Sequence, residues 1–93
     1  MWKLQGGDTG SVDLNMSERP LTELKQGDTA TVVALLGGHG FQRRLRSVGI
    51  KESKTLRMVA IHPFFGPLVV EVDGKQITLG RGMAQRIAVA QEL

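Results

Sequence analysis

The chain contains no cysteine, which removes disulfides, thiolate zinc sites, iron–sulfur ligation and thiol nucleophiles, and fits a reducing compartment. Long apolar runs are also missing. None approaches the roughly 20 residues of a spanning helix, and MWKLQGGDTG at the start lacks the apolar stretch of a secretory signal. The expectation is a cytoplasmic protein without direct membrane insertion. Ninety-three residues are too few for two independent cores, and a chain this size buries only about 60% of its unfolded surface. A deep substrate cleft is therefore not expected, and a binding module is favoured over an enzyme.

Aromatic residues number four and histidines two. Neither His39 nor His62 joins a regularly spaced set of ligands, so no metal site or cofactor is read from them. Ser47 and Ser53 have no nearby His–carboxylate arrangement, which leaves nucleophilic catalysis without support. Single-stranded nucleic acid is gripped by aromatic faces interleaved with cations. Phe64 and Phe65 lie far along the chain from the arginine cluster, so a nucleic-acid partner is not expected.

Positive charge is present, and it is local. Lys3 and Arg19 against Asp8, Asp13 and Glu18 leave residues 1–19 at −1, so residues 20–93 carry +4 of the net +3. Residues 1–19 mix Gly, Ser, Asp and Asn with isolated apolar positions and follow neither a helical nor a strand period; they read as a poorly ordered extension. Within it Met16 opens MSERPLTEL in the manner of a chain start, which predicts that the preceding residues are an upstream extension.

From Pro20 the pattern sharpens into one domain, 20–93. Thr29–Leu36 is a β-branched and apolar strand after the turn residues Gly27-Asp28. Gly37-Gly38-His39-Gly40 breaks it; without the Gly-Lys-Ser/Thr of a phosphate loop it reads as a tight strand-to-helix turn. Phe41, Leu45 and Val48 then share one helical face, with Gly49 placed to end the helix in a left-handed conformation and Ile50 to pack back on the last turn. Lys54–Ile61 is a second strand. His62–Pro67 is a loop, and Asp73-Gly74 joins the strands Leu68–Val72 and Lys75–Leu79 as a two-residue hairpin. One helical turn within Gly80–Arg86 and a last short strand, Ile87–Ala90, complete the pattern. About five short strands and one small helix predict a mainly β fold, a small SH3-like barrel whose closure removes most exposed edges.

Two groups stand out as candidate binding residues. Arg43, Arg44 and Arg46 crowd the solvent side of the helix, where they could dock on an acidic surface. Phe64 and Phe65 share a Pro- and Gly-bounded loop in which a strand period cannot bury both; one is expected in the core and the other in an exposed apolar patch. Arg43, Arg46, Phe64 and Phe65 are thus the expected partner-binding residues.

Several segments in order carry a resemblance: Leu21-Thr22-Glu23-Leu24-Lys25-Gln26-Gly27-Asp28, Gly37-Gly38-His39-Gly40, Arg44-Leu45-Arg46-Ser47-Val48-Gly49-Ile50, Gly66-Pro67-Leu68-Val69-Val70, and Ile77 through Ile87 (ITLGRGMAQRI). On these, residues 20–93 resemble the FeoA family, small cytosolic proteins of bacterial ferrous iron uptake. Ser53 departs from that pattern, which usually has Gly in the turn. The resemblance implies an SH3-like barrel with a helical insertion and a non-catalytic accessory role to FeoB, a membrane permease with a cytoplasmic GTP-binding domain. Related SH3-like domains close iron-dependent repressors, so a regulatory domain binding metal or a peptide is the alternative that the resemblance implies.

Overall fold

The structure is a computed structural model that describes residues 16–92. Strand β1 is Met16–Pro20 and runs straight into a 3₁₀ turn, Leu21–Glu23. Next come β2 (Thr29–Leu35), helix α1 (His39–Ser47) and β3 (Thr55–Ile61). The hairpin β4 (Leu68–Val72) and β5 (Lys75–Leu79) follows, then α2 (Arg81–Ala84) and β6 (Ile87–Glu92). All strand pairs are antiparallel, in the order β1-β6-β2-β3-β4-β5.

Local chemistry explains most of these elements. Strand β4 alternates strictly, burying Leu68, Val70 and Val72. In β2 the buried residues Val32 and Leu35 are three apart, and a register shift between Val32 and Ala34 turns both to the core. A second shift in β3, between Met58 and Ala60, ends the run of core residues Leu56 and Met58 and leaves Ile61 exposed. The β4–β5 turn has Asp73 at φ 53° and Gly74 at φ 81°, the two positive values of a type I′ hairpin.

Two sequence expectations are corrected. The sheet has six strands rather than five, because residues 16–19, assigned to the extension, belong to β1: Ser17 pairs with Gln91 and Arg19 with Val89. MSERP has no apolar alternation because an edge strand is held by its backbone ladder, and Pro20 is tolerated at its end. Residues 1–15, the rest of that extension, lie outside the described residues. The second correction concerns closure. Among the described residues β1 and β5 are unpaired sheet edges. In place of a closing ladder, the 3₁₀ turn that follows one edge packs against α2, which follows the other, burying Leu21 and Ala84. The roll is SH3-like, sealed at that point by side chains instead of hydrogen bonds.

Candidate partner-docking surface

The helix α1 is fixed at both ends. Gly38 is its N-terminal boundary residue, Gln42 donates from Nε2 to the Gly37 carbonyl at 2.9 Å, and a Cβ on Gly37 would overlap the Phe41 ring. Close approach of ring to backbone is thus the reason for Gly37, and the glycines make a strand-to-helix turn as expected. At the other end Gly49 N–H donates to Arg46 O (3.1 Å) and Ile50 N–H to Leu45 O (2.9 Å), with Gly49 at φ 96°. These are the two bonds of a Schellman motif, and Ile50 and Leu45 are both fully buried.

With Leu45 inward, Arg43, Arg44 and Arg46 face solvent. They are not equivalent. Arg46 forms an exposed ion pair with Glu52 at 3.1 Å, and the Arg44 carbonyl accepts from Ser47 Oγ at 2.7 Å. Arg43 makes no ion pair or side-chain hydrogen bond among the described residues.

The loop after β3 departs from expectation. Phe64 and Phe65 are 95% and 86% exposed, so neither ring enters the core. The loop is closed on itself by His62 N–H to Pro67 O (3.1 Å) and Gly66 N–H to Pro63 O (3.0 Å), with Phe64 at φ 59° and Phe65 at φ 58°. This is the signature of a type I′ turn, a site that favours Asn-Gly, occupied by two phenylalanines. The tight turn projects both rings away from the sheet.

Two residues beside these groups escaped sequence reasoning. Arg81, at the start of α2, donates from Nη2 to the His62 carbonyl at 3.2 Å and lies over the Phe65 ring at 6.0 Å. Its Nε is buried with no partner among the described residues. Arg86, just past α2, lies over the Phe41 ring at 5.8 Å, and its carbonyl accepts the N–H of Leu36, which is 62% exposed. The short α2 therefore connects the Phe loop to the base of α1. No periodicity could reveal this, because each stack joins residues from separate stretches of chain.

His39 and His62 are exposed, and the described residues contain no group of three or more His, Cys, Asp or Glu able to hold a metal ion. Lys54 Nζ bonds the Asp73 carboxylate at 2.8 Å; this hydrogen bond and its charge hold Asp73 below the ordinary aspartate range. No described helix is long and apolar enough to cross a membrane.

Comparison with known proteins decides the family. The model of the FeoA domain matches residues 19–91. This chain belongs to the FeoA family. Its FeoA-family relatives include a Methanocaldococcus jannaschii protein named as Fe(2+) transport protein A, 33% identical over 70 residues that cover 75% of this chain and 83% of that one. A crystal structure of an iron uptake regulatory protein, FeoA, is 35% identical with TM-score 0.75, covering 83% of this chain and 100% of the other. Stenotrophomonas maltophilia FeoA complexed with zinc, described as a prokaryotic SH3 domain protein, is 30% identical with TM-score 0.66, covering 78% and 95%. A manganese-dependent transcriptional repressor is 32% identical with TM-score 0.76; the match covers 90% of this chain but 46% of the repressor. The FeoA-family assignment makes this a ferrous iron transport protein with an SH3-like fold.

Proposed function

We propose that this chain is a non-catalytic cytoplasmic accessory protein of ferrous iron uptake that docks on the FeoB permease and modulates its assembly, nucleotide hydrolysis or gating. The observation that carries the reading is the pair Phe64 and Phe65, almost wholly exposed and held outward by left-handed backbone. Strained backbone of this kind clusters at functional sites. Large exposed rings at a fixed tip are suited to anchor a protein contact. Arg43 and Arg46 on α1 supply cations for the same partner. The Arg46–Glu52 pair is exposed on both sides, so exchanging Glu52 for a partner carboxylate costs little.

The test is titration of the full chain against the cognate permease in detergent, and against its soluble GTP-binding domain, with and without a non-hydrolysable GTP analogue. Saturable binding is expected. Combined substitution of Arg43, Arg46, Phe64 and Phe65 that leaves affinity unchanged rejects this surface. The likeness to the manganese-dependent repressor favours a second reading, a regulatory SH3-like domain that binds metal or a peptide. Absence of permease binding in either nucleotide state, together with a calorimetric signal on adding Mn(II), would favour it.

A further inference from the structure

Charge is distributed unevenly over the fold. Residues 29–91 hold nine Lys and Arg against three acids, Glu52, Glu71 and Asp73. Each of those acids is already paired, with Arg46, Arg57 and Lys54. Six of the cations are left with no carboxylate among the described residues, and of these Arg81 and Arg86 each lie over a ring. Two ring–cation pairs flank the short α2: Arg81 at its start lies over Phe65, next to Phe64, and Arg86 just past its end lies over Phe41, with its carbonyl accepting the Leu36 N–H. In order of these contacts the groups form a stripe that is apolar at its two ends and doubly cationic between them.

Resting on the reading that the chain docks on a partner, we infer that this stripe is the docking face, and that its occupant is an acidic protein segment setting two carboxylates between apolar side chains. Charge complementarity selects the carboxylates, since the two guanidiniums meet no competing acid among the described residues. Stacking on the rings holds them in place, so less side-chain freedom is lost when they bind. Each cation of the stripe sits directly against its own ring. A bilayer interface would instead take the apolar groups in one layer with the cations above it. A nucleic-acid strand would require cations tracking many phosphates, and the stripe has two. Arg81 and Arg86, each beside a ring, thus carry more of the contact than Arg43 and Arg46 on the outer turn of α1.

Two arms test this separately from docking on the permease. In the first, amide shifts of the isotope-labelled full chain are followed on adding a synthetic peptide with paired Glu between leucines, the same peptide with Gln for Glu, vesicles of neutral and anionic lipid, or an oligothymidylate. Shifts at Leu36, Arg81, Arg86 and the Phe64–Phe65 tip are expected with the Glu peptide, at an affinity about tenfold above the Gln peptide. Equal binding of both peptides, shifts elsewhere, or a response only to vesicles or oligonucleotide overturns the inference.

In the second arm, Arg86→Glu and the double change Phe64→Asn with Phe65→Asn are expected to weaken permease binding about tenfold or more. Asn accepts left-handed backbone and both rings are exposed, so the fold is kept; Arg86→Glu changes an exposed side chain whose carbonyl bond is untouched. A larger loss from Arg43→Glu with Arg46→Glu, or an effect of Arg86→Glu within twofold, overturns the stripe while leaving docking intact. Failure of the wild type to bind the permease overturns docking, and the peptide arm alone then decides the stripe.

Discussion

Four residues other than glycine occupy left-handed backbone: Ser53, Phe64, Phe65 and Asp73. For Asp73 this is cheap, because the first position of a type I′ turn accepts Asp. For the others it costs, and Ser53 offers no evident return. It stands at φ 77° in the turn before β3, where the resembling family usually has Gly. Left-handed strain of about 1–2 kcal/mol, less the extra freedom glycine gives the unfolded chain, predicts that Ser53→Gly stabilises by about 0.5–1 kcal/mol. Thermal or urea unfolding that shows no gain would refute this.

Asp73 supplies a pH prediction. Its folded-state carboxyl titrates below the ordinary range because Lys54 donates to it and attracts its charge. The pair therefore favours the folded state above the ordinary aspartate value, and that contribution is lost as pH falls through the lowered one. Carboxyl chemical-shift titration is expected to place Asp73 low, and Lys54→Met to return it toward the usual range.

Elements differ in how plainly sequence announces them. The hairpin at Asp73-Gly74 and the C-terminus of α1 were legible because both depend on local chemistry, two residues with positive φ in one case and Gly49 followed by Ile50 in the other. Gly49→Ala would meet nothing within 4 Å, so its cost is purely conformational, about 1–2 kcal/mol, visible as a lowered denaturation midpoint. Strand β1 was illegible because its pairing with β6 satisfies backbone groups without an apolar period. The open edges were illegible for a related reason: whether a rolled sheet closes by a ladder or by packing depends on the 3₁₀ turn Leu21–Glu23 meeting α2, which no local pattern encodes. At the proposed docking surface the exposed arginines and one exposed Phe were readable from spacing. The second Phe was not, because only the closed turn prevents it from folding inward. Arg81 and Arg86 gain their surroundings from distant parts of the chain.

For the molecule as a whole, the charge imbalance over residues 29–91 bears on rates. A cationic face meeting an acidic partner is steered during encounter, so raising salt from about 50 to 500 mM is expected to lower the association rate several-fold while the dissociation rate changes by less than about twofold. Stopped-flow mixing with the permease domain measures both; a salt-independent association rate would remove the electrostatic part of the docking account.

The pairing of β1 with β6 sets Met16 opposite Glu92, so the two ends of the described segment are neighbours in one ladder. That pairing also spans the greatest separation along the sequence of any in the sheet, and its loop must be closed before it stabilises anything. A circular permutant that joins residue 92 to residue 16 through an Asn-Gly turn and opens the chain at Asp73-Gly74 would turn this costly contact into a hairpin. In exchange β4–β5 becomes the long pairing, and the net saving lies in β2–β6, whose partners come much nearer along the chain. The same sheet would then have lower contact order, and refolding faster than the parent is the expected result.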